Sequence, residues 1–78
     1  MNALTNMLYT SAIADKAKAQ LTLDLLINNP AGIGDHSTED FYKNAEEALA
    51  MLADADERLE TIEKYLNPLN LIKLNIDE

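Results

Sequence analysis

The sequence predicts an all-α protein: an antiparallel helical hairpin of two long helices with a short C-terminal segment, assembled as a helical-bundle homo-oligomer. Three observations predict it. Residues 2–28 hold no glycine or proline and are rich in alanine and leucine, which suits a helix. From Phe41 to Leu66 the apolar residues recur at alternating steps of four and three, the seam of helices packed at a shallow angle. Between them, residues 29–37 gather both glycines, the first of the two prolines and the only histidine, the composition of a tight corner. The boundaries are a helix over about 2–28, a loop over 29–37, a helix over about 38–66 and a tail over 67–78, all in one domain.

The first helix has two apolar stripes when its residues are placed at 100° steps. One is Ala3, Met7, Thr10, Ala14, Ala17, Leu21 and Leu25; the other is Leu4, Leu8, Ala12, Ala19, Leu23 and Leu26. Asp15, Lys18 and Thr22 separate them on one side, Gln20 and Asp24 on the other. A helix with two apolar faces requires two neighbours, and a hairpin supplies one.

Asn28-Asn29-Pro30 ends this helix, because the residue before proline is pushed out of the α region. Gly32 and Gly34 permit the backbone angles of the corner. Ser37 with Asp40 three residues later resembles a capping box, and Thr38, Glu39 and Asp40 are expected to form the first turn, where the negative charge of Glu39 and Asp40 suits the helix dipole. His36 and Phe41 occupy the positions of a hydrophobic staple.

The second seam is Phe41, Ala45, Ala48, Leu52, Ala55, Leu59, Ile62 and Leu66, widened by Leu49 and Met51. Glu46, Glu47, Asp54, Glu57, Glu60 and Glu63 fall off it, as a solvated face. Ala45, Ala48 and Ala55 are expected to meet the alanine-rich middle of the first helix. Asn67-Pro68 ends the second helix. The tail that follows alternates Ile72, Leu74 and Ile76 with polar residues, and is expected to pack as a short helix or extended arm.

Composition narrows the function. A 78-residue chain without cysteine has no disulfide and no thiolate metal site, and one histidine builds no His-rich zinc site. Self-association is then the expected staple for so small a core. No cofactor is expected. The net charge of −8 argues against general nucleic-acid binding and against anionic membranes. No basic leader, and no apolar run near the length of about 20 residues that spans a bilayer, is present, so a soluble protein is expected.

The chemistry-bearing candidates cluster at the corner. Gly32 and Gly34 before a helix start allow backbone N–H groups to converge on an anion, but the lysine and third glycine of known phosphate loops are missing and Asp35 is repulsive. A rigid corner is the stronger reading. Asp35-His36 forms a possible acid–base pair without a third orienting group, so no enzyme is expected. Tyr9, Tyr42 and Tyr65 suit an interface or a base-stacking contact. Lys16 and Lys18 are candidates for pairing with a phosphate, against the plainer reading of two solvated lysines beside Asp15.

The string Asn29-Pro30-Ala31-Gly32-Ile33-Gly34-Asp35-His36-Ser37 resembles an Asn-Pro-X-Gly-Ile-Gly-Asp-His motif of small uncharacterised tailed-phage proteins, where it also lies between two helices. The stretch Ala53-Asp54-Ala55-Asp56-Glu57-Arg58-Leu59 is similar to an Ala-Glu-Asp-Lys-Leu-like segment of their second helix, and the likeness covers about residues 20–66. The resemblance implies a phage accessory protein acting in the host cytoplasm and carries over no established activity. By architecture alone, the expected role is counter-defence: a helical oligomer sequestering a small nucleotide-type signalling ligand, with Tyr9, Lys16, Gly32, Gly34, Asp35 and His36 as its binding residues. The alternatives are an acidic protein-interaction module that inhibits a host protein, and a minor virion or assembly component.

Overall fold

The structure, a computed structural model, describes residues 2–28 and 38–66. Two helices pack against each other, α1 (Ala3–Asn28) and α2 (Thr38–Tyr65), with no strand among the described residues. Their order is antiparallel: Asp15 meets Arg58 and Lys16 meets Asp56 near mid-length. The proposed Ser37 cap, the His36 staple partner and the tail lie outside the described residues.

The helix ends follow from local chemistry. Asn2 caps α1: its Oδ1 accepts the backbone N–H of Thr5 at 2.7 Å, and its carbonyl accepts the first intrahelical bond from Asn6 at 2.9 Å. At the far end the Asn28 side chain donates to the Asp24 carbonyl at 2.9 Å. In α2, Glu39 and Asp40 occupy the first turn and Lys64 the last, each matching the sign that the helix dipole favours. One further bond, from the N–H of Leu66 to the carbonyl of Ile62 at 2.8 Å, carries the last turn past Tyr65.

The core follows a seven-residue repeat on both helices. Thr5, Ala12, Ala19 and Leu26 are the buried positions of α1; Ala48, Ala55 and Ile62 are those of α2. Phe41, Ala45, Leu52 and Leu59 flank the α2 row half-buried, so the expected α2 seam is the observed one up to Leu66, which is exposed. In α1 the stripe ending in Leu26 is the one that faces α2. Its N-terminal end differs from expectation: Thr5 is buried and Leu4 lies in solvent. A straight helix drifts about 20° per seven residues against a strict heptad, and packing along the heptad carries the contact line from Leu26 back to Thr5.

The two ion pairs also fix the axial register. They place Ala19 level with the gap between Leu52 and Ala55, Ala12 level with that between Leu59 and Ile62, and Leu26 level with that between Ala45 and Ala48. The expected alanine-on-alanine match therefore applies at Ala19 and Ala55 only. Elsewhere a small residue faces larger ones, which lets the two helices interdigitate. No large side chain is fully buried among the described residues. The other α1 stripe, from Ala3 to Leu25, has no cover from α2.

Two outcomes follow from the thin seam and the cap. Ala19→Leu or Ala55→Leu replaces a methyl by an isobutyl group between the helices and is expected to lower unfolding free energy by about 1–3 kcal/mol. Asn2→Ala removes the cap and is expected to cost about 1 kcal/mol. Urea titration followed by circular dichroism checks both.

Candidate functional site

The described residues offer two cross-helix charge clusters and two shallow grooves. Arg58, the only arginine of the chain, lies on one flank of the seam. Its Nη2 donates to Asp15 Oδ2 at 2.7 Å across the helices, and its Nε donates to Asp54 Oδ2 at 2.9 Å one turn back on α2. The hydrogen bond to Asp15 is the main cause that raises the guanidinium above its ordinary basicity; partial desolvation opposes it and Asp54 adds to it. A basic group raised in this way contributes stability at every pH below its unfolded value and loses it only as the pH climbs through the folded one. The arginine half of this cluster is thus constant through the neutral range.

Lys16 lies on the opposite flank and meets Asp56 Oδ1 at 2.9 Å. Tyr9 shares that face of α1, two turns away and about 10 Å along the axis. Of the six expected ligand residues, Tyr9 and Lys16 are therefore on one face, and Gly32, Gly34, Asp35 and His36 lie outside the described residues. Lys18 falls 200° around the helix from Lys16, so the two lysines do not converge on one phosphate from the same helix. Tyr42 lies on the Lys16 flank and stacks edge-on against Phe41, with centroids 6.0 Å apart. Tyr65 lies on the other flank under the ammonium of Lys64, 5.3 Å from its ring centre.

Both grooves open on the Arg58 flank. One, of about 340 Å³, runs between Thr22, Leu25 and Leu26 on α1 and Asn44, Glu47 and Met51 on α2. The other, of about 380 Å³, lies between Leu8 and Ser11 on α1 and Asp54, Arg58, Thr61 and Ile62 on α2. Their charged walls are Glu47 in the first and Asp54, Glu57 and Arg58 in the second, with Arg58 already engaged by two carboxylates. Neither lining suits an anion. The Thr22 and Thr61 hydroxyls donate back to the Lys18 and Glu57 carbonyls at 2.9 and 2.8 Å, in the usual local pattern of helical threonines. No grouping of three or more metal-ligating side chains exists among the described residues. No buried side-chain polar atom among them lacks a partner.

Sequence reasoning overlooked Arg58. The signal was available in part: Asp54 and Arg58 are four apart on one helix face. The cross-helix partner Asp15 needed the register, which sequence alone does not supply. No helix among the described residues is long and apolar enough to cross a membrane. Compared with known protein families, curated proteins and solved structures, the chain matches none.

The geometry separates the roles of the two aspartates on Arg58. Asp15→Asn removes a bond between helices and is expected to lower the melting temperature more than Asp54→Asn, which removes one within α2. Thermal melts at low and high salt check this, and the gap narrows as salt screens the part-exposed charges.

Proposed function

We propose that this chain is a non-enzymatic phage accessory protein that works as a homo-oligomer and presents an acidic helix to a basic surface of a host protein. The observation that carries this reading is the segregation of charge between the two helices. α2 holds nine acidic and three basic residues, while α1 holds two of each. Glu46, Glu47, Glu57 and Glu60 are all exposed on α2. The cations nearest the seam, Lys16 and Arg58, are engaged by Asp56, Asp15 and Asp54. The acidic row thus remains outward, where its field steers a positively charged partner. The phage assignment rests on the resemblance of residues 29–37. A second reading, sequestration of a nucleotide-type ligand, draws on Tyr9 and Lys16 sharing one face of α1.

One set of measurements decides between them. Immobilised protein exposed to host lysate is expected to retain a basic protein at low salt and to release it at high salt. The variant Glu46→Gln/Glu57→Gln/Glu60→Gln, altered only at exposed positions, is expected to retain none. Equal retention by that variant, or no retained protein at all, overturns the acidic-module reading. Calorimetry against a panel of cyclic nucleotides is expected to show no heat of binding; saturable binding supports sequestration instead.

A further inference from the structure

We propose that a second copy of this chain docks on the Lys16 flank of the hairpin, forming a four-helix bundle in which each copy's Lys16 lies over the other's Asp56. The inference is independent of what α2 binds. It starts from a second periodic pattern on each helix. Along α1, residues 9, 13, 16, 20, 23 and 27 advance by alternating steps of four and three; along α2, residues 42, 45, 49, 52, 56, 59, 63 and 66 do the same. Lys16 and Asp56 belong to these two rows and touch, so both rows open on the same side of the hairpin. That side carries Ile13, Leu23 and Ile27 from α1 and Leu49, Leu52 and Leu59 from α2. Ile27 is 71% exposed and Leu49 60%, although both are large and apolar. The opposite flank sets Asp15, Asp54 and Arg58 among the exposed Leu8, Leu25 and Met51.

Size favours this face over the outer stripe of α1. From Tyr9 to Ile27 it runs about 27 Å and is two helices wide, about 18 Å, before side-chain relief is followed. That projects to about 490 Å², roughly three fifths of one partner's share in a stable complex, about 800 Å². The outer stripe is one helix wide, with Met7, Leu21 and Leu25 separated by alanine and threonine. A two-fold interface must be complementary to itself. About an axis along the helices the flank satisfies this because Lys16 and Asp56 lie level and side by side, so each falls opposite the other's counterpart.

Charge also selects the arrangement. Two hairpins can meet face to face about a two-fold that runs along the helices or across them. The crosswise axis stacks α1 on α1 and α2 on α2, so Lys16 meets Lys16 and the two acidic helices meet each other. The lengthwise axis stacks neutral α1 on acidic α2 and closes a ring of two lysines and two aspartates. The loop ends of the two copies then lie together. A paired polar layer in an apolar interface fixes register, as a buried polar residue does in coiled coils.

Sedimentation equilibrium of the full chain at micromolar concentration is expected to give twice the 8.7 kDa monomer mass. Ile27→Lys/Leu49→Lys, at sites that the hairpin itself leaves exposed, is expected to weaken association at least tenfold. Leu21→Lys on the outer stripe is expected to leave it unchanged. Mixing Lys16→Asp chains with Asp56→Lys chains is expected to give the heterodimer in preference to either homodimer. A spin label at residue 28 is expected to read about 20 Å between copies; the crosswise arrangement gives more than about 35 Å. A fully helical monomer at high micromolar concentration, a dimer indifferent to Ile27→Lys/Leu49→Lys, or dissociation by Leu21→Lys overturns the proposal. The longer spin-label distance overturns its arrangement.

Discussion

The fold depends on how thin the layer between its two helices is. Ala12, Ala19, Ala48 and Ala55 occupy the line of contact, so the backbones can approach to the short end of the usual interaxial range of about 8–10 Å. Close approach improves dispersion contacts along the whole length. It also limits how much apolar surface the seam removes from water, because alanine has little to bury. Larger side chains are displaced to the flanks, where Leu23, Leu52 and Leu59 are covered on one side only. The hairpin is thus well matched along its axis and incomplete around its circumference.

This division explains what the sequence made legible. The seam of α2 was readable because its large and small apolar residues all lie on one side, and period alone locates that side. In α1, alanine and leucine occur nearly all round, so two stripes competed and period could not rank them. The structure ranks them through α2, whose position no residue of α1 encodes alone. The Leu4 to Thr5 exchange has the same origin: an ideal helix and a heptad-packed one diverge slowly, and the divergence accumulates toward the chain end. The Asn2 cap was visible in principle, since asparagine before an alanine–leucine run is a standard start. The roles of Arg58 and Lys16 required the register between helices. The corner that carries the phage-like motif lies outside the described residues, so its chemistry still rests on sequence.

Charge and apolar surface are distributed by helix and by flank. The acidic residues of α2 turn outward, the charge of α1 sums to zero, and the uncovered leucine and isoleucine divide between the Lys16 flank and the other faces of the hairpin. An acidic outer surface discourages indiscriminate aggregation of chains that expose apolar side chains. In the proposed docking, self-association is confined to the flank where a neutral helix can meet an acidic one. The same separation leaves the outward row of α2 available to a second kind of partner while the flank is occupied.

The paired bridges have a mechanical consequence. Asp15 and Lys16 are neighbours in sequence, yet they reach α2 on opposite sides of the seam, at Arg58 and Asp56. If α1 rolled about its own axis, one contact would be pulled apart while the other was crowded. The pair acts as a torsional stop at mid-length, where the smooth alanine surface offers little resistance to rolling. Sliding by a full heptad would preserve the small-residue pattern but separate both bridges. Packing therefore sets how close the helices lie, and two adjacent residues of opposite charge set how they are turned.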